Sequence, residues 1–545
     1  MKELFIILTL VSSLKSYIPS KPELTVDVTE MSITEIQEAI DDGYLTYEEL
    51  MKIYLDRIDK YNDKYNAVLY VNPNALEEAK KKDEEYKKNG RTSDLFGMPI
   101  LVKDNIDVKW MPTTAGAKGL KDNYPKKNAP AIQNLIDEGA IIIGKSNMSE
   151  FALSAYNSYS SYGSVKNAYN TTYSSYGSSG GTAVGVAANF AVAGLGTDTG
   201  GSVRLPSAAN NLVGLRPTWG SISGDGVIKY DKTRDTIGPI TRYVEDNAIL
   251  LDALTDKKTN FKKEVKSKTD LKGIKIGVAS QFMNNTDQGI YNLMKSAINN
   301  FKSMGAEIVY IPDFYNGYYS FNDKSFCYDF NEYLEGTTGK IRSWTQLKKG
   351  TDYVNNMNWV DTSWCSKDYT KSTAYLNTLT ARNSFTNNIK GKFKKYNVDI
   401  VIYPTIKNKL LTVASSRTSS AKTYAYTITA TGFPSMNLQI GKINGLSYGM
   451  EVVTTANNEE VLYPIAYLYE QKTKYYNNPS ISKNLYVVSK ELVELKKKIK
   501  TSKYEELNDI TESYLKNYSS NTKSNLKESI ILSMYELKER NAGKW

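Results

Sequence analysis

Three short segments of this chain hold residues able to activate a hydroxyl. Gly97-Met98-Pro99-Ile100-Leu101-Val102-Lys103-Asp104-Asn105 ends an apolar run on a lysine. Tyr176-Gly177-Ser178-Ser179-Gly180-Gly181 sets paired serines in a glycine-lined turn, and Gly194-Leu195-Gly196-Thr197-Asp198-Thr199-Gly200-Gly201-Ser202 ends on a third serine. Taken singly each is ordinary, since strand-end lysines are usually solvated and Gly-Ser runs are usually turns. Together they meet a need that the composition creates: among 545 residues the count of His is 0. Without imidazole there is no Ser-His-Asp or Cys-His catalysis, no His-ligated zinc and no His proton shuttle. An activated serine then requires a lysine held neutral, its pKa brought from ~10.4 toward ~7–8 by burial and neighbours. Glycines ahead of Ser202 allow successive backbone N–H groups to converge on one point, as an oxyanion hole demands.

Two other matches carry less. Gly139-Ala140-Ile141-Ile142-Ile143-Gly144-Lys145-Ser146 spells a phosphate-loop pattern. Its middle positions are Ala and three Ile, which favour an extended strand over a turn whose amides converge on an anion. Ser419-Ser420-Ala421-Lys422 and Ser480-Ile481-Ser482-Lys483 fit Ser-x-x-Lys, but no Lys-Thr-Gly partner accompanies them. Both matches are read as chance.

The elements that must position the three segments are partly legible. Ser32-Ile33-Thr34-Glu35 and Thr46-Tyr47-Glu48-Glu49 each place a hydroxyl three residues before a Glu, a helix-start signature. The second opens an apolar stripe of Leu50, Ile53, Tyr54 and Ile58 at helical spacing. Pro73 to Lys88 reads as a charged surface helix. Helix followed by apolar strand recurs at Ala131–Glu138 with Ala140–Ile143, at Ile290–Met304 with Ala306–Ile311, and at Asn387–Tyr396 with Asp399–Tyr403. This alternation predicts an α/β protein with a largely central sheet. Residues 150–230 are rich in Gly, Ser, Thr and Ala with interspersed aliphatics, a composition for close backbone packing around a buried site.

At these residues the chain resembles the amidase signature family. The core resemblance is carried by Gly177–Gly181 and Leu195–Ser202. It continues through Val203-Arg204-Leu205-Pro206-Ser207-Ala208-Ala209 and Val213–Thr218. Flanking segments agree as well: Thr113–Gly116, Gly144–Phe151, Asp235–Ile240, Thr431–Ser435 and Ile465–Glu470. The resemblance runs from about Ser32 to Thr473. It implies an amidase-signature fold, a central mixed sheet flanked by helices on both sides. It implies Lys103 as general base, Ser178 as bridging serine on a cis Gly177–Ser178 bond, and Ser202 as nucleophile. Backbone amides of Thr199, Gly200, Gly201 and Ser202 would form the oxyanion hole, with Ser179, Asp198 and Arg204 in support. Neither cofactor nor metal is implied. Variable segments, here 310–385 and 405–430, would line the acyl pocket. One departure stands out: the family's Ser-Pro-Gly is here Ser175-Tyr176-Gly177, without the proline.

Composition bounds the rest. The chain is 41% hydrophobic and 23% charged, which excludes disordered, collagen-like and disulfide-dense classes. Its net charge of +10 is interleaved along the chain, so a lysine-rich solvated surface is expected and no nucleic-acid groove. Met1-Lys2-Glu3, the apolar Leu4–Val11, then Ser12 and Ser13 read as a signal peptide over 1–16, with a buried first strand as the alternative. The run falls short of the ~20 residues that span a bilayer, so no stable membrane insertion is expected. Cys327 and Cys365 are either a disulfide or two free thiols, and export tilts them toward the disulfide. The expected organisation is that signal peptide, an amidase domain over 30–478 and a Lys/Glu-rich helical extension over 479–545. The expected function is an exported amidase, monomer or homodimer, cleaving a small-molecule or peptide carboxamide through an acyl-serine. The alternatives are a fatty-acid-amide-type hydrolase, the amidase subunit of a tRNA-dependent amidotransferase, and a non-catalytic binding protein on the same fold.

Overall fold

The computed structural model describes residues 23–255, 259–315, 324–350 and 360–501. The expected signal peptide and the extension beyond 501 lie outside the described residues. Local signals form the elements they encode. Ser32 caps α1 (Ile33–Asp41): its hydroxyl accepts from Glu35 N at 3.2 Å while the Glu35 carboxylate accepts from Ser32 N at 2.7 Å. Thr46 and Glu49 make the same exchange, at 3.1 and 3.0 Å, at the start of α2 (Tyr47–Tyr65). Each exchange satisfies donors that a helix's first turn leaves open. The stripe Leu50, Ile53, Tyr54 and Ile58 is buried. The helix expected from Pro73 begins later, as α3 (Ala75–Asn89), because Asn72 closes a turn there by accepting from Asn74 N and Ala75 N.

Among the described residues eleven strands, numbered in chain order, form one mixed sheet. They are β1 (Val68–Val71), β2 (Pro99–Lys103), β3 (Ile141–Ser146), β4 (Ala193–Asp198), β5 (Val213–Arg216), β6 (Thr236–Thr241), β7 (Lys275–Ala279), β8 (Glu307–Ile311), β9 (Ile400–Pro404), β10 (Ser435–Ile443) and β11 (Leu446–Val453). Their spatial order is β8-β7-β9-β11-β10-β5-β6-β4-β2-β3-β1. The pairs β2–β3, β2–β4, β7–β8 and β7–β9 are parallel and the others antiparallel. The helices of this region are α4 (Pro130–Asp137), α5 (Gly180–Ala187), α6 (Arg204–Ala209), α7 (Val244–Leu254), α8 (Gln288–Ser303), α9 (Phe326–Glu335), α10 (Thr373–Tyr396), α11 (Ala425–Thr431) and α12 (Glu459–Thr473), of which α9 packs away from the sheet in a cluster of its own. The phosphate-loop match is part of β3, an extended strand buried throughout. The helix expected at Asn387 starts instead at Thr373. Its first half is rich in Thr, Asn and Ser, so local propensity is weak; buried Arg382, donating to Ala430 O at 2.8 Å and Thr233 O at 2.6 Å, anchors it.

The chain divides into two compact units. Of the described residues, one comprises 23–53, 76–94 and 483–501; it holds α1, α3, a parallel bridge of Glu23–Leu24 with Val487–Val488, and α13 (Lys490–Thr501). The other, 54–75 with 95–482, holds the sheet and everything described below. Within it Cys327 of α9 is disulfide-bonded to Cys365, with their Cα atoms 4.6 Å apart. Beneath that bond Phe151, Phe326, Phe330 and Trp344 pack edge to face and stacked in one apolar cluster.

Candidate active site

Parallel strands finish at a common edge, and in α/β sheets that carboxyl edge is where ligands sit. Register pairs Val102 of β2 with Leu195 of β4, which carries Lys103 and Thr197 to the same edge. Lys103 Nζ lies 2.7 Å from Ser178 Oγ, 2.7 Å from Thr197 Oγ1 and 3.3 Å from Thr197 O. The lysine is 0% exposed, and among the described residues no carboxylate pairs with it. Burial pushes its ammonium down to about 7, against the pull of Asp235 and Asp198.

Ser178 and Ser179 occupy the turn leading into α5. The Gly177–Ser178 peptide bond is cis, as the resemblance implied. Tyr176, just ahead of it, sits at φ +60, a value proline's ring forbids. Burial of its ring and hydrogen bonds from Ser158 Oγ (2.9 Å) and Ser175 Oγ (2.8 Å) to Tyr176 O hold the turn. Ser179 clamps β4 by accepting from Thr197 N at 3.2 Å and donating to Thr197 O at 3.3 Å. Its own N–H donates to Ser202 O at 3.2 Å, which brings the two serine turns together.

The turn between β4 and α6 carries Ser202, which is 3% exposed. Among the described residues no hydrogen bond reaches its hydroxyl, so the Ser178–Ser202 link of the relay is not formed in this state; such links often tighten only with substrate bound. Asp198 shapes the turn by accepting from Gly201 N at 2.8 Å and Val203 N at 3.1 Å. This corrects one expectation: the Gly201 amide is already used. The amides of Thr199, Gly200 and Ser202 carry no hydrogen bond among the described residues. Arg204 holds both Asp198 oxygens, at 3.1 and 3.2 Å, and also contacts Glu451 of β11. Burial pushes the Asp198 carboxyl up, but Arg204 and Arg216 outweigh it and hold the group well below the usual range. Asp198 and Arg204 thus brace the turn.

Three site neighbours escaped the sequence reading. Thr197 and Asn105, whose Nδ2 donates to Thr197 Oγ1 at 3.2 Å, complete the surroundings of Lys103. Asp235, just ahead of β6, is buried, accepts from Tyr230 N at 2.7 Å and Asp231 N at 3.2 Å, and has the Thr199 hydroxyl beside it. Burial, reinforced by Asp231, pushes the Asp235 carboxyl up to about 6. The one signal in the sequence was position, since each of the three lies within one of the motif segments.

The carboxyl edge of the mixed sheet thus brings a buried lysine and the serines of two glycine turns into one site. The amidase family model matches residues 49–463. The A subunit of glutamyl-tRNA(Gln) amidotransferase from Clostridium botulinum (strain Okra / Type B1) is 33% identical over 494 residues, covering 83% of this chain and 99% of that protein. Among solved structures, native peptide amidase from Stenotrophomonas maltophilia superposes with a TM-score of 0.73 at 26% identity, covering 84% of this chain and 99% of that one. An amidase family protein from Bacillus anthracis str. Ames gives 0.71 at 29% identity, covering 83% and 93%. The chain belongs to the amidase signature family and is a hydrolase acting on amide C–N bonds.

Proposed function

We propose that the chain cleaves a carboxamide through an acyl-serine on Ser202. The observation that carries this is the 2.7 Å approach of Lys103 Nζ to Ser178 Oγ in a site without a paired carboxylate. A neutral amine has two N–H donors and one lone pair. Thr197 Oγ1 and Thr197 O take the donors, which leaves the lone pair for the Ser178 proton. Ser178 in turn accepts the proton of Ser202 as its Oγ attacks the carbonyl carbon. Oxyanion charge falls on the amides of Thr199, Gly200 and Ser202, where one donor is typically worth ~3–4 kcal/mol. The proton returns to the leaving nitrogen as C–N breaks, and water then hydrolyses the acyl ester. Ser202→Ala should abolish ammonia release from simple carboxamides while circular dichroism and melting stay unchanged. Near-normal turnover in that variant would refute the assignment.

Two versions of this reading differ in substrate and partner. Relatives in sequence favour an amidotransferase component working on glutamyl-tRNA(Gln) inside a complex. The peptide amidase superposition fits a free-standing amidase instead, and the Cys327–Cys365 disulfide would suit an oxidising compartment. Location and company separate them. A mature N-terminus near Ser13–Tyr17 in culture fluid supports export; a second subunit co-purifying from cell extract supports the amidotransferase.

A further inference from the structure

An aromatic ring stands over the turn that offers the free amides. A Cβ placed on Gly200 would come within 2.3 Å of Tyr426 Cε1 and 2.6 Å of Cδ1, so the ring edge rests directly on this glycine and would have to shift for any larger residue. Beside it, Gly201, at φ +108, has Ala425 and Leu205 in the space a Cβ would take. Tyr426 lies in the first turn of α11, whose entry is fixed to the same node as the turn: Arg204 Nη2 donates to both Ala425 O and Asp198 Oδ1, each at 3.2 Å. Tyr426 is nevertheless 44% exposed as a residue, and its phenol hydrogen-bonds to Tyr156. Tyr156, Tyr230 and Arg234 stand within electrostatic reach of its phenol, and Arg234 is itself paired with Asp231 at 2.6 Å. Uncharged aromatic surface therefore borders the place where a carbonyl oxygen would lie.

We propose that Tyr426 is a specificity-determining residue, its open ring face contacting the group attached to the scissile carbonyl and selecting carboxamides with an aromatic or bulky apolar acyl group. This rests on Ser202 being the nucleophile, and the test separates the two claims. The full chain is treated with phenylmethanesulfonyl fluoride or with methanesulfonyl fluoride. In each reaction a serine Oγ–S bond forms, fluoride leaves, and the hydroxyl proton is lost. Intact mass and peptide mapping then give the rate of labelling at Ser202. Wild type should prefer the phenyl reagent. Tyr426→Ala and Tyr426→Leu should each cut that preference about tenfold, the size of one aromatic contact, while Tyr426→Phe keeps it. Labelling with an unchanged preference in both Ala and Leu variants overturns the role of Tyr426 alone. Absence of label at Ser202 in wild type overturns the nucleophile assignment itself.

Discussion

Lys103 and Lys145 make a natural experiment. They lie near the carboxyl ends of neighbouring parallel strands, with Val102 opposite Lys145 and Lys103 opposite Ser146. Both are fully buried. Lys145 faces Asp104 at 3.2 Å and donates to Pro112 O and Thr113 Oγ1, each at 3.1 Å. Asp104 in turn contacts Thr114 and accepts from its N–H at 3.3 Å, so the pair pins the 104–116 loop. Burial lowers the Lys145 ammonium, and Asp104 and Asp107 pull it back. Lys103 has hydroxyls and a carbonyl where Lys145 has a carboxylate, and burial goes unopposed by any contact. One strand over, the same residue type at the same depth is a structural tie in one case and a candidate base in the other. The partner Asp104, one residue past the end of β2, meets Lys145 and not Lys103, and makes that difference.

The largest test of this contrast removes each lysine in turn. Lys103→Ala should lower kcat/KM for amide hydrolysis by roughly 10³-fold with little loss of stability. Lys145→Met should do the reverse in kind. It leaves a buried Asp104 carboxylate uncompensated, at a cost of about 3–5 kcal/mol in urea unfolding, part of it recovered in Lys145→Met/Asp104→Asn. Equal effects of both single variants on activity and on stability would erase the distinction. A middle-sized effect lies in pH. Because the neutral amine is the working form, kcat/KM should rise with pH through an apparent pKa of about 7. Stability follows the same group. Between about 7 and 10.5 the unfolded chain keeps the Lys103 proton that the folded chain has lost, so stability climbs with pH across that window. That share of the climb should vanish in Lys103→Met, measured by urea unfolding at several pH values. The smallest effect concerns Asp235, which acts on Lys103 without touching it. Its charge raises the lysine, so Asp235→Asn should move the acid limb of the kcat/KM profile to lower pH by less than about one unit. A shift upward would contradict an attraction between Asp235 and the Lys103 ammonium.

Much of this was open to reading in the chain itself, and the reasons are local. Ser32 with Glu35, and Thr46 with Glu49, satisfy each other's backbone donors within one turn, so their helices could be placed without a neighbour. The absence of histidine, the lysine after an apolar run and the glycines before Ser202 likewise named a chemistry, because residue type limits what a site can do. Tertiary structure alone decided which atoms meet. Arg382 extends α10 backward through a weak helical segment by bonds to Thr233 and Ala430. Asp198 occupies the Gly201 amide and so reduces the candidate oxyanion donors to three residues. Tyr426 reaches Gly200 from more than two hundred positions away, where no periodicity could signal it. Burial and contact are properties of the assembled fold: a lysine's charge depends on whether a carboxylate is within reach once water is gone, and no spacing along the chain states that distance.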